Sequence, residues 1–475
     1  MSCLRCRSRL STAMPGCAGR SCGSCPMLDK ARELDAADEL AHFRDRFEIP
    51  EGVIYLDGNS LGALPKATPA RLEQVMRGEW GKGLIRSWND ADWITLPQRV
   101  GGKIAPLIGA HPHEVIVADS VSVNLFKLIS AALKMRPGRK VILSEPGNFP
   151  TDLYMIQGLE SQGLATQRLA EREAIIDALD EDVALLLLTH VHYKSGAMFD
   201  MAALTEAAHD AGALVLWDLS HTGGALPVDL NGCGADFAVG CGYKYLNGGP
   251  GAPAYAFVAE RHHEALEQPL SGWMGHAAPF AFTDDYSPAP GVDRLLCGTA
   301  PILSVSALEV GVDLIAEIGV DHLWAKSRAL SEFLLECLAE AGVINTPSLL
   351  QGRGRSREAA EGVGDAQTET SARDAPAPEP PPLKERGSLA LVSPIDPMQR
   401  GSQLSFRHQE AYALCQALIA RGIIGDFRAP DILRLGFAPA YLRFKDMART
   451  AEELADILAK GAWDTAEFKQ RAAVT

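Results

Sequence analysis

The chain has 475 residues, 47% hydrophobic and 22% charged, the balance of a soluble globular protein with two or three domains and a large core. Its formal net charge of −15 excludes capture of nucleic acid or of an anionic membrane by bulk electrostatics, so any phosphate must be held locally. Apolar runs such as Val183 to Leu188 are too short to span a bilayer, and Arg5, Arg7 and Arg9 lead into no apolar signal segment, so a cytoplasmic protein is expected.

Five of the ten cysteines (Cys3, Cys6, Cys17, Cys22, Cys25) fall in the first 25 residues. Cys3-x-x-Cys6 and Cys22-x-x-Cys25 have zinc-ribbon spacing, yet almost no apolar residue is there to pack around a metal. Residues 1–27 therefore read as a disordered extension. The other cysteines are scattered, as for buried thiols in a reducing compartment. Residues 28–48 read as an amphipathic helix with Leu34, Leu40, Phe43 and Phe47 near one face. Val53–Leu56 reads as a short strand running into the turn cluster Asp57-Gly58-Asn59-Ser60-Leu61-Gly62. The segment 28–84 is expected to pack with a smaller domain.

From there strands alternate with helices. Val115–Val117 precedes a helix opening near Ser122, Val141–Leu143 precedes a loop at 145–152, and Val183–Leu188 precedes Thr189–Gly196. Met201–Ala211 is helical, Leu214–Trp217 precedes Asp218, and Ala235–Val239 and Ala254–Val258 flank a glycine-rich loop. Continuous apolar strands between helices predict an α/β domain at 85–310, its mostly parallel sheet covered by helices on both faces. Ligands of such sheets bind beyond the carboxyl ends of the strands. A long helical region is expected at about 301–342. Residues 351–387 have hardly an apolar side chain and run through Pro376–Pro382, so they read as a disordered insertion. Order resumes at Leu389 with a strand, a helix at Gln409–Arg421 and Ile432–Phe437, giving a smaller α+β domain at 311–475.

The chemistry centres on Lys244, in Gly242-Tyr243-Lys244-Tyr245-Leu246-Asn247-Gly248-Gly249-Pro250-Gly251. Upstream, the buried strand ends in Asp218-Leu219-Ser220-His221. A lysine amine can form a Schiff base with an aldehyde, and an aspartate at a strand end can keep a pyridine nitrogen protonated. Together they point to pyridoxal 5'-phosphate (PLP). Ser120-Val121-Ser122-Val123-Asn124 opens a helix, where hydroxyls and backbone N–H groups hold phosphate or simply cap. In Asn148-Phe149-Pro150-Thr151-Asp152, Phe149 could stack on the cofactor ring and Asp152 hydrogen-bond near it, although the same residues make ordinary turns. Asp218-x-x-His221 is half a metal site at most, so no metal is expected. Arg434 is a charge inside an apolar strand and needs a partner, either a substrate carboxylate or a structural carboxylate.

These pieces, with Leu56–Gly62, Phe149–Asp152, Asp218–His221 and Tyr243–Asn247 the most specific, resemble the kynureninase family of PLP-dependent hydrolases over roughly 28–348 and 388–470. The resemblance implies the PLP fold type I of the aspartate aminotransferases. It implies Lys244 as the Schiff-base lysine, with Val121, Ser122, Phe149, Asp152, Thr189, Asp218, His221 and Tyr243 around PLP. Trp273 and Thr299 would complete the phosphate site across a homodimer interface, and Arg434 would bind the substrate carboxylate with Asn59 and Ser60 close by. The implied reaction cleaves L-kynurenine to anthranilate and L-alanine, or the 3-hydroxy compound to 3-hydroxyanthranilate. Tyr243 could also donate a proton. Trp88 offers an aryl-stacking face without a partner for a phenol, so L-kynurenine is the expected preference. The alternative is a cysteine desulfurase or selenocysteine lyase, for which Cys297 would have to be the nucleophile.

Overall fold

The computed structural model describes residues 26–344 and 388–471. The N-terminal cysteine pairs and the insertion expected at 351–387 lie outside them, whereas Pro26 and Met27 open the first helix, Pro26–Ala36.

The strands are β1 (Ile54–Tyr55), β2 (Val115–Val117), β3 (Val141–Ser144), β4 (Thr166–Leu169), β5 (Val183–Thr189), β6 (Leu214–Asp218), β7 (Phe237–Cys241) and β8 (Ala254–Val258). After the gap follow β9 (Ala390–Leu391), β10 (Gln403–Arg407), β11 (Ile423–Ile424), β12 (Asp426–Arg428) and β13 (Ile432–Gly436). The large sheet has the order β2-β8-β7-β6-β5-β3-β4. It is parallel from β4 to β7, and only β8 runs against its neighbours.

Burial explains why these segments are strands. Leu185, Leu187, Leu214 and Leu216 belong to one apolar cluster, and Leu186, Leu188, Val215 and Trp217 belong to the other. Successive side chains point to opposite faces, so an unbroken apolar run is the signature of a strand covered on both sides. Helices Val121–Met135, Pro150–Ser161 and Met201–Asp210 supply cover between the strands.

The second sheet is antiparallel, ordered β12-β13-β10-β9. The N-terminal strand reaches it from the far end of the sequence. Ile54 and Tyr55 pair in parallel with Ile423 and Ile424, and Gly436 N–H donates to Leu56 O at 2.7 Å.

Three local expectations change. The helix expected over 28–48 stops at Ala36, and a 3-10 turn covers Ala41–Arg46. Between them the Asp38 carboxylate accepts the Leu40 N–H (3.0 Å) and pairs with Lys326 (2.6 Å), a local bond that competes with helix continuation. The helical region at 301–342 is two helices, Ile302–Ile318 and Val320–Glu340. They break at Gly319, whose φ of +86° suits glycine. The helix expected at 409–421 spans Ala411–Ile419.

One polar device anchors the amino end of the large sheet. Asp236, 1% exposed, accepts from His262 Nε2 (2.7 Å), His209 Nε2 (2.8 Å), Val215 N–H (2.8 Å) and Arg261 (2.7 Å). Burial pushes this carboxyl up, but the bonds from His262, His209, Val215 and Arg261 outweigh it and lower it to about 2. A carboxylate depressed in the fold stabilises above its ordinary pKa and loses that contribution as pH falls from about 4 to about 2. Asp236→Asn should therefore cost about 2 kcal/mol at neutral pH and flatten the acid limb of the Tm–pH curve in that window. Thermal melts of both proteins from pH 7 to pH 2 check this.

Candidate active site

Thr189 and Asp218 are register partners where β5 and β6 end, so their side chains emerge at the carboxyl edge of the sheet. Asp218 is 2% exposed and accepts the Ser220 N–H at 2.7 Å. Asp152, fully buried in the first turn of Pro150–Ser161, lies 3.1 Å from the Thr189 hydroxyl, which is also 2.5 Å from Asn148 Oδ1. Burial raises both carboxyls; for Asp152 the neighbouring Asp218 charge adds to it. Two desolvated carboxyls side by side call for a cation or a shared proton.

Lys244 follows β7 and is buried. Its Nζ lies 3.4 Å from His221 Nε2, 5.7 Å from the Phe149 ring centroid and 5.8 Å from that of Tyr243. Burial, and then Lys244, push His221 well below the ordinary histidine range, so the imidazole is neutral. Burial raises the Tyr243 phenol, which keeps its proton. The loop is held against the N-terminal turn, where Gly62 N–H donates to Tyr243 O at 2.8 Å. A Cβ at Gly62 would fall 2.3 Å from Lys244 O, so no other residue fits that approach without movement.

Val121 and Ser122 are the first two residues of the helix Val121–Met135. The cap is Ser120, whose hydroxyl accepts the Val123 N–H at 3.4 Å, two residues earlier than the expected opening.

Arg434 lies in β13 at 1% exposure and already has a carboxylate. Its Nε donates to Asp426 Oδ1 (2.8 Å), its Nη2 pairs with Asp426 Oδ2 and reaches Ser60 Oγ (2.9 Å), and its Nη1 donates to Tyr193 O (2.6 Å). Arg428 joins Ser60 (3.1 Å) and Asp426 (2.6 Å). The Asn59 carboxamide, oriented to satisfy both neighbours, accepts from Arg434 Nε at 3.0 Å and donates to Asp57 at 3.3 Å. Asp57 is pushed up to about 6 by burial and then by the Asp426 charge. Asn59, Ser60 and Arg434 thus meet as expected, with Asp57, Asp426 and Arg428 as partners that sequence reading missed. Tyr193 connects this cluster to the first. Its carbonyl takes the Arg434 bond, and its ring meets Phe149 edge-on at 5.3 Å.

The other three expected residues have these surroundings within the single chain. Trp88, in the short helix Ser87–Asp90, packs edge-on against Trp93 at 6.0 Å. Trp273 is 40% exposed, and Thr299 lies exposed after Leu296-Cys297-Gly298. Cys297 donates to Leu270 O at 3.1 Å.

The residues fit PLP on their own chemistry. Asp152 Oδ1 and His221 Nδ1 are buried without a partner, near the Lys244 amine and the Asp218 carboxyl at the end of β6. Among the described residues no group of three or more His, Cys, Asp or Glu could hold a metal ion, and no helix is long and apolar enough to cross a membrane.

The profile of the class-V aminotransferases matches residues 54–355, and that of the kynureninase C-terminal domain matches residues 383–454. A kynureninase of Burkholderia mallei (strain SAVP1) is 48% identical over 454 residues, covering 94% of this chain and 99% of the relative. One of Pseudomonas fluorescens is 44% identical over 449 residues, covering 93% and 98%. Among solved structures, a cysteine desulfurase of Thermococcus onnurineus NA1 superposes with a TM-score of 0.69 at 16% identity, covering 88% of this chain and 98% of that one. A cysteine desulfurase of Escherichia coli reaches 0.66 at 18%, covering 89% and 98%. At such low identity these two attest the PLP fold type I and nothing finer, whereas the near full-length identity to the first two means that the chain belongs to the kynureninase family.

Proposed function

We propose that the site binds PLP and hydrolyses L-kynurenine to anthranilate and L-alanine. Membership of the kynureninase family makes the chain a hydrolase of carbon–carbon bonds in ketonic substances. The observation that carries the cofactor reading is the buried pair Asp152 and Asp218 beside the buried amine of Lys244.

Bound PLP supplies an aldehyde that condenses with amines and a ring that accepts electrons from the carbon next to the amine. Asp218 would hold a proton on the ring nitrogen, and Asp152, Thr189 and His221 would keep the ring in place. Phe149 would cover one face. Val121 and Ser122 would bind the phosphate, with Trp273 and Thr299 of the second protomer. Lys244 would take the proton from the substrate carbon, and neutral His221 would leave that amine free of a competing charge. Tyr243 keeps its proton and can donate it where the γ-carbonyl oxygen gains charge. Arg434, oriented by Asp426, would bind the substrate carboxylate, with Asn59 and Ser60 shaping the approach.

A homodimer is part of the reading. Phe280 and Phe282 are 59% and 77% exposed and run edge-on into Trp273, a surface apolar cluster that a second copy would cover. The desulfurase alternative has no support from Cys297, whose thiol is turned to a backbone carbonyl.

Lys244→Ala should abolish anthranilate release and the absorbance of the lysine-linked cofactor imine while leaving the far-UV spectrum unchanged; both are read on one preparation. Asp218→Asn should still bind PLP but lose on the order of 100-fold in kcat, the usual effect of removing one preorganised electrostatic group. The aryl subsite is expected to favour L-kynurenine over its 3-hydroxy analogue, because an unpaired hydroxyl costs roughly 1–3 kcal/mol. The ratio of kcat/KM for the two substrates checks this, and a ratio at or below unity removes Trp88 from the subsite.

A further inference from the structure

Lys127 has no role in the reading above, yet it is among the most deeply buried charged side chains of the protein. It lies in the helix Val121–Met135 with its side chain 0% exposed. Its Nζ pairs with Asp119 Oδ2 at 2.5 Å and donates to the Leu295 carbonyl. A lysine is costly to bury, and these two partners belong to two different loops.

The first loop is the entry to the helix that opens with Val121 and Ser122. Asp119 stands immediately before the Ser120 cap and has a φ of +45°, a conformation uncommon for a side-chain-bearing residue. Its backbone is pinned on both sides. Asp119 O accepts the Ala254 N–H at 2.9 Å, and the Ala118 carbonyl accepts from Asn124 Nδ2 at 2.8 Å.

The second loop leads from Leu295 to Thr299. It also carries the Trp273 segment. A Cβ on Gly272 would fall 1.9 Å from Cys297 O, and one on Gly275 would fall 2.4 Å from Leu296 O, so the two backbones touch. Met274 N–H donates to Cys297 O at 3.4 Å. One buried amine therefore joins the Val121–Ser122 helix start to the segment bearing Thr299 and, through it, Trp273.

We infer that Lys127 is a positioning residue for the cofactor phosphate, fixing the helix start at Val121–Ser122 relative to the Trp273 and Thr299 loops. In the proposed homodimer those loops would contribute to the second protomer's phosphate site, so Lys127 would also tie one phosphate site to the other. This rests on the PLP reading of the site.

The test compares PLP with pyridoxal, which lacks the phosphate. Full-length wild type, Lys127→Met and Asp119→Asn are stripped of cofactor, and the Kd of each probe is measured by absorbance titration. Asp119 is partly exposed, so its variant keeps the test alive if Lys127→Met does not fold. Both variants should bind PLP at least about tenfold more weakly, or roughly 1.4 kcal/mol, with pyridoxal affinity unchanged. Equal losses for both probes, or no loss for PLP, overturn the inference. A wild type that binds neither probe overturns the cofactor reading itself, and this inference with it.

Discussion

Charge removed from water is what the rest of this site is arranged around. Asp152, Asp218, Lys244, Asp426 and Arg434 are all buried within one edge of the fold. None is tolerable there without a counter-group, because an isolated charge in a low-dielectric interior loses several kcal/mol of hydration. The loops are therefore not free to vary. Thr189 must end β5 beside Asp218, Ser220 must turn its N–H back to that carboxyl, and Tyr193 must give its carbonyl to Arg434. At the Asp152–Asp218 pair burial outweighs the opposing effect of Lys244, and both carboxyls stay raised.

Arg434 illustrates how a second charge changes the meaning of the first. A guanidinium locked two ways to Asp426 is oriented as well as neutralised. Its Nη1 edge and the adjacent Arg428 remain the cationic side of the cluster. Asp57, raised by the same crowding, takes a proton more readily than a surface carboxyl does. The local charge of the cluster is thus set by four side chains rather than one.

Much of this was readable from the chain. The five- to seven-residue strands β5 to β8 are apolar on both faces, and their carboxyl ends carry Thr189, Asp218 and Lys244 in the order the sheet rule demands. What escaped reading has two physical causes. Edge strand β4 is polar and largely exposed, so it has no apolar pattern to detect. The partners of Lys127 and Arg434 are set by tertiary contact: Leu295 is 168 residues from Lys127, and Ser60 is 374 residues from Arg434. Asp426 lay within reach of inspection, as an acid between Ile423-Ile424-Gly425 and Phe427, but only the strand pairing with β13 shows which cation it serves. The N-terminal helix was overextended because Leu40, Phe43 and Phe47 keep apolar spacing through a 3-10 turn that Asp38 imposes.

The pairing of β1 with β11, and of Leu56 with Gly436, has a consequence for biosynthesis. A ribosome delivers Asp57, Asn59 and Ser60 early and Asp426 and Arg434 almost last. Until β11 to β13 emerge, the growing polypeptide carries the Asp57–Gly62 turn without its cationic counterparts Arg428 and Arg434, and an unpaired strand edge at Ile54–Tyr55. Polypeptides truncated before residue 426 lack Asp426, Arg428 and Arg434, the C-terminal half of the cluster. Translation itself thus imposes an order: the lysine loop and its acids can be in place first, and the Asp426–Arg434 cluster is added at the end.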